Sequence, residues 1–163
     1  MNYFELFEIP VSLTIDKASL SKKYFELQKK FHPDFYSQSS EEEKAEAEEK
    51  SSLINKALKT LQNQDETIKY VLQEKQLLEA EEKYTLPSDF LMEMLELNEA
   101  VMEEEPAAVT KKITAAEAEL YEEVKAIIDN YKEGITTNEE LLQVKGYYYK
   151  KKYLQRILDR IEG

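Results

Sequence analysis

Apolar residues recur along this chain at helical spacing, and nowhere do they alternate with polar ones at the two-residue period of a strand. "YFELF", residues 3–7, predicts a short helix that Pro10 brings to a stop. Asp16 then stands as the N-cap of a helix running to Phe31, with Leu20, Tyr24, Leu27 and Phe31 on one apolar face. Lys22, Lys23, Lys29 and Lys30 lie opposite, with Glu26 among them. His32-Pro33 ends the helix, because proline disfavours the α conformation in the residue before it. After the polar loop "DFYSQSS" a long helix is predicted from Ser40 to Gln62. Its first half, "EEEKAEAEEK", has no apolar residue larger than alanine, whereas Leu53, Ile54, Ala57, Leu58 and Leu61 fall at core spacing. Two antiparallel helices packed near one end and solvated at the tip would show this gradient. "DETIKYVLQEK" predicts a short fourth helix.

Pro87, in "EEKYTLPSDF", marks a boundary, with Ser88 as a plausible N-cap for a helix over residues 89–104. A sixth helix is predicted over residues 107–133. Its core stripe is Ile113, Leu120, Val124, Ile127 and Tyr131, and Gly134 stands at its C-terminus. Asn138 can cap a last helix over residues 139–161, with Leu154, Ile157, Leu158 and Ile161 inward. The division is into a first helical unit, residues 1–75, a linker, residues 76–86, and a three-helix bundle, residues 87–163. The fold class is all-α.

Composition agrees: 3 glycines, 4 prolines and 34% charged residues suit helices joined by few turns. A net charge of −12 argues against nucleic acid as the main partner and leaves room for a basic protein surface. The absence of cysteine removes disulfides, thiol nucleophiles and zinc knuckles. No apolar run is long enough to span a bilayer, no targeting leader is visible, and a cytoplasmic protein is expected.

The only histidine lies in "KKFHPDFYSQ". Catalysis or zinc binding would need further imidazoles, thiolates or a phosphate-binding loop, and none is present, so neither enzymatic activity nor a cofactor or metal is expected. Alone, His32-Pro33-Asp34 reads as a helix stop. In context it tips a hairpin with an apolar face, a lysine face and a second arm, "INKALKTL". Two aromatics follow at once, Phe35 and Tyr36, either to pack on the hairpin base or to touch a partner. The helix over residues 89–104 has two apolar faces. Phe90, Met94, Leu97 and Val101 form a sufficient core stripe. Leu91, Leu95 and Met102 cluster elsewhere, with Met92 further round beside Glu96, Glu99 and Glu103. A small bundle seldom buries a helix on two separated faces, so part of the second stripe is expected at the surface as a protein-binding patch.

"YFELFEIP", "YFELQKKFHPD" and "INKALKTL" resemble the J-domain family of co-chaperones. The resemblance implies that His32, Pro33 and Asp34 stimulate ATP hydrolysis by a DnaK-type chaperone. It also implies that Lys22, Lys23, Lys29 and Lys30 dock on that chaperone; Glu26 interrupts their face and could pair with Lys22, Lys29 or Lys30. "FLMEMLELNEA" resembles the signature of the HscB family, the J-type co-chaperones of iron–sulfur cluster biogenesis. That likeness implies a scaffold-binding patch, for an IscU-type protein delivered to an HscA-type ATPase, at Leu91, Met92, Leu95, Glu96, Glu99 and Glu103. Tyr149 on the last helix is the best match for the family's aromatic, with Tyr148 and Tyr153 as alternatives. Gly146 is unusual inside a helix and either kinks it or allows close packing. A J-domain serving another client and a non-catalytic helical adaptor are the alternatives.

Overall fold

Seven α-helices and one 3₁₀ turn account for all the regular structure in the computed structural model, which describes Met1–Gly163. The chain divides into two compact units, Met1–Val71 and Leu72–Gly163, with the boundary inside a helix.

In the first unit α1, Tyr3–Phe7, is opened by Asn2, whose side chain accepts the Glu5 amide. Phe4, Leu6 and Phe7 are buried, so this single turn is held by burial rather than by its own hydrogen bonds. Helix α2, Lys17–Phe31, begins at Asp16, whose carboxylate accepts both the amide and the hydroxyl of Ser19. Those bonds hold the Asp16 carboxyl below the usual carboxylate range. Helix α3, Glu41–Leu61, starts at the Ser40 cap and runs back against α2. Its core residues Ala47, Ile54, Ala57 and Leu61 are buried, and all but Ala47 lie in its second half. Asn55 Oδ1 clasps the hairpin, accepting from the Tyr24 hydroxyl at 2.8 Å and from Gln28 Nε2 at 3.0 Å. Helix α4, Gln64–Glu74, contributes Ile68 and Val71 to this unit's core, and Tyr70 stacks on Tyr3 with ring centroids 4.5 Å apart.

In the second unit α5, Ser88–Glu103, α6, Pro106–Asp129, and α7, Asn138–Glu162, form the bundle. Phe90, Met94, Leu97 and Ala100 of α5 meet Val109 and Ile113 of α6 and Leu154 and Ile157 of α7. The termini fall within a residue of expectation except at the end of α6, and two caps are held by other residues. Pro87 already holds the extended cap conformation, so Ser88 is the first helical residue and caps nothing. Thr137, not Asn138, caps α7, in a reciprocal capping box with Glu140. Helix α6 ends at Asp129, four residues short of expectation, where the Asn130 side chain bonds back to the Ala126 carbonyl. Gly134 sits beyond, at φ 79°, in the turn towards α7.

Residues 76–86 carry no regular element, and they pack on α7. Glu82 receives Lys145 Nζ at 2.7 Å in a largely buried ion pair. The Tyr84 ring stacks on Tyr149 at 4.5 Å, 6° from parallel. A β-carbon on Gly146 would stand 3.4 Å from the Tyr84 hydroxyl. Gly146 therefore serves close packing, and α7 runs through it unbroken.

Candidate functional site

The His-Pro-Asp turn sits where two helices of the first unit have run out of shared core. His32 leaves α2 at φ −61°, ψ 132°, the extended conformation demanded by the following proline, and Pro33–Tyr36 form one 3₁₀ turn. The Asp34 amide donates to His32 Nδ1 at 3.3 Å, the Asp34 carboxylate lies 3.6 Å from the same nitrogen, and the Phe35 amide donates to the His32 carbonyl at 3.0 Å. Tyr36 donates its hydroxyl to the Lys30 carbonyl at 2.8 Å, satisfying one of the open acceptors at the end of α2 and tying the turn down. His32, Pro33 and Asp34 all remain exposed. The two aromatics after them part company. Tyr36 is half-buried and bonded to the end of α2, whereas Phe35 is 66% exposed, its ring edge-on to His32 at 6.3 Å.

The lysines are not equivalent. Lys22, Lys29 and Lys30 are exposed. Lys23 is half-buried, within 3.8 Å of Glu8 and 4.0 Å of Glu26. Glu26 thus pairs with Lys23, and its carboxylate is not held by Lys22, Lys29 or Lys30. Phe25 went unnoticed in the sequence because an inward stripe through Leu20, Tyr24, Leu27 and Phe31 already accounted for the helix. It is 64% exposed on the lysine side.

The second site lies on α5. At about 100° per residue, Leu91, Met102, Leu95, Glu99, Met92, Glu103 and Glu96 follow one another around an arc of about 140°. This arc is turned away from the core. Leu91 is 44% exposed, Leu95 60%, Met92 69% and Met102 86%, and all three glutamates are exposed. Leu91, Met102 and Leu95 thus form an apolar strip, bordered on one side by Glu99, Glu103 and Glu96 with Met92 among them. On its other side Asn98 donates to the Tyr153 hydroxyl at 3.4 Å and accepts from Arg160 at 2.8 Å, so α7 borders the strip there. Tyr149 stands one turn before Tyr153 on the same side of α7. Half-buried against Tyr84, it donates its hydroxyl towards Glu82 at 3.4 Å, and burial together with the Glu82 charge pushes its own pKa up to about 12. Tyr148 is buried, and Tyr153 meets Phe90 edge-on. Of the three tyrosines considered for the patch, Tyr153 is the one whose hydroxyl and ring both engage α5.

A helical hairpin ending in an exposed, tied-down His-Pro-Asp turn defines the J-domain class, and residues 2–70 match the family model described as "DnaJ domain". Residues 86–162 match the model described as "HSCB C-terminal oligomerisation domain". The co-chaperone protein HscB homolog of Photobacterium profundum is 32% identical over 143 residues, 87% of this chain and 80% of that protein. The homolog of Colwellia psychrerythraea is 40% identical over 61% of this chain and 57% of its own length. Among solved structures, chaperone HscB from Vibrio cholerae superposes with a TM-score of 0.75 at 26% identity, covering 99% of this chain and 96% of that one. Human co-chaperone protein HscB gives a TM-score of 0.83 at 28% identity over 99% of this chain and 81% of the human one. The chain belongs to the HscB family of J-domain co-chaperones.

Proposed function

We propose that this protein stimulates the ATPase of a specialised DnaK/HscA-type chaperone and delivers to it an IscU-type iron–sulfur scaffold protein, in the cytoplasm. The observation that carries the proposal is one chain bearing both an exposed His-Pro-Asp tip and an exposed Leu/Met strip edged by Glu96, Glu99 and Glu103. An apolar patch of this kind, rimmed by charge on a helix that has already satisfied its core, is the signature of a protein-binding surface.

The division of labour follows from the chemistry of the two surfaces. Exposed lysines steer encounter with an acidic chaperone surface, and proline at the tip presents imidazole and carboxylate with little rotational freedom left to lose. On α5, Leu91, Met92 and Leu95 supply the apolar contact, while Glu96, Glu99 and Glu103 select a basic complement. In this reading Tyr153 joins Tyr149 as a candidate for the aromatic partner from α7, because its ring and hydroxyl both meet α5 while Tyr149 is half-buried against Tyr84. Carrying both surfaces on one chain raises the effective concentration of scaffold at the chaperone without any new contact.

The test is ATP hydrolysis by an HscA-type chaperone in the presence of this protein, its His32→Gln variant and an IscU-type scaffold. Synergistic stimulation by wild type and scaffold together, lost in the variant, supports delivery. Stimulation indifferent to the scaffold keeps the co-chaperone and assigns it another client. No stimulation of any DnaK-type ATPase overturns the proposal and leaves a helical adaptor.

A further inference from the structure

Phenylalanine is placed very unevenly on this molecule. Of the six phenylalanines, Phe4, Phe7 and Phe90 are buried and Phe31 is half-buried. The two that stay exposed, Phe25 at 64% and Phe35 at 66%, stand on the two sides of His32. Lys22, Phe25 and Lys29 fall at i, i+3 and i+7 of α2, one stripe along its outer side, and His32 follows at the residue where the helix ends. The helix gains nothing from a phenylalanine there, since lysine or alanine is the better helix former at a solvated position. Nor is the ring loose. Tyr24 meets it edge-on, with centroids 5.7 Å apart, and Tyr24 is itself anchored through Asn55 on α3.

We propose that Phe25 is the apolar anchor of the chaperone-docking stripe. Its occupant is an apolar recess, rimmed by carboxylates, on the ATPase that His32-Pro33-Asp34 stimulates; this rests on the function proposed above. The charge pattern selects that occupant. Whatever covers Phe25 must also accept the ammonium groups of Lys22 and Lys29 within one helical turn on either side, which calls for an apolar centre with an acidic border. A second copy docking through the same stripe about a two-fold axis would set lysine against lysine. Exposed lysines steer encounter but hold a complex weakly, because their ion pairs remain in water. A rigid ring entering a desolvated recess supplies what they lack and slows dissociation.

The experiment titrates wild type, Phe25→Ala and His32→Gln against an HscA-type chaperone and follows both the half-saturating concentration and the maximal stimulation of ATP hydrolysis. Alanine at an exposed helical position keeps the fold, and circular dichroism verifies this. The expected result is a half-saturating concentration raised about tenfold in Phe25→Ala, with maximal stimulation unchanged, as for truncation of an interface anchor. His32→Gln instead loses the maximum. A Phe25→Ala curve that superimposes on wild type while His32→Gln is inert overturns the anchor and leaves the docking function standing. Full stimulation by His32→Gln overturns the docking function itself, and the anchor with it. A lowered maximum at unchanged half-saturation makes Phe25 part of the trigger and overturns its role as anchor. A wild-type dimer in sedimentation that Phe25→Ala abolishes, with stimulation unaltered, assigns the ring to self-association and likewise overturns the proposal.

Discussion

The outer side of α2 and the outer side of α5 are both helix faces left over after a core has been satisfied, yet they are built on opposite plans. On α2 the exposed groups are chiefly Lys22, Lys29 and Lys30, with Glu26 among them and Phe25 as the one large apolar residue. On α5 Leu91, Met102 and Leu95 stand together, and Glu99, Glu103 and Glu96 follow on one side with Met92 among them. A surface whose attraction resides in ammonium groups gains speed of encounter and loses it as salt rises. A surface whose attraction resides in apolar contact gains residence time and is nearly indifferent to salt. The contrast suits a protein that meets one partner briefly and holds the other: the same helical architecture makes a contact transient or durable according to what stands on its spare face.

Removing the core of either surface is the strongest way to break this contrast. His32→Gln is expected to leave ATP hydrolysis at the level of the chaperone alone, while scaffold binding measured by calorimetry stays at the wild-type value. Leu95→Glu is the counterpart: scaffold affinity falls about a hundredfold, and scaffold-independent stimulation is untouched. If either variant damages both functions, the two surfaces are not independent.

Salt sharpens the comparison with a smaller effect. Raising ionic strength from about 0.05 to about 0.3 M shortens the screening length to roughly half or less. It is expected to weaken chaperone docking several-fold and scaffold binding by less, the residue of the second effect coming from Glu96, Glu99 and Glu103. Equal sensitivity of the two would show that the glutamate rim, and not the apolar strip, dominates on α5. Smaller again is the difference among the lysines. Lys23→Ala should raise the half-saturating concentration less than Lys22→Ala or Lys29→Ala, because Lys23 is already engaged by Glu8 and Glu26.

The last prediction concerns the frame that carries α5. Lys145 holds the Glu82 carboxyl below its ordinary value of 4.5, with the Glu79 amide and the Tyr149 hydroxyl acting in the same direction. A carboxyl whose pKa is depressed by folding stabilises the fold above its unfolded value and loses that contribution as pH falls through the folded one. Thermal stability of the second unit is therefore expected to decline below about pH 4.5. Glu82→Gln should cost about 1–2 kcal/mol at neutral pH and flatten that acid limb. Scaffold affinity at pH 7 should stay within a factor of about two, since Glu82 bonds to Lys145 and Tyr149 of α7 and to no residue of α5. An acid limb unchanged by the substitution would assign the decline to other carboxylates, such as Glu133 beside Lys75 and Tyr131.

Much of this was legible in the chain. Each of the seven helices follows from apolar spacing and stop signals, because a solvated helix must bury one stripe and a proline must end it. The two faces of α5 were visible for the same reason: Phe90, Met94 and Leu97 already made a complete inward stripe, which left Leu91 and Leu95 without a core to join. The caps were harder. Ser88 and Asn138 are good cap residues by type, but Pro87 and Thr137, one position earlier, already held the extended conformation, and only backbone geometry chooses between neighbours.

What the sequence determined by itself was periodicity and chemistry: an all-α chain, a His-Pro-Asp stop between two arms of a hairpin, and an α5 with more apolar surface than one core needs. What only the tertiary structure decided was which of several similar residues already has a partner. Four lysines look alike in the sequence, but Glu8, at the end of α1, stands beside Lys23. Three tyrosines crowd "GYYYKKKYL", but Tyr84, from outside the helices, covers Tyr149 and gives Gly146 its purpose, while Asn98 on α5 reaches Tyr153. Periodicity is a property of one helix, whereas exposure depends on every segment packed against it. For that reason the surfaces were readable from the chain, and the occupancy of their individual side chains was not.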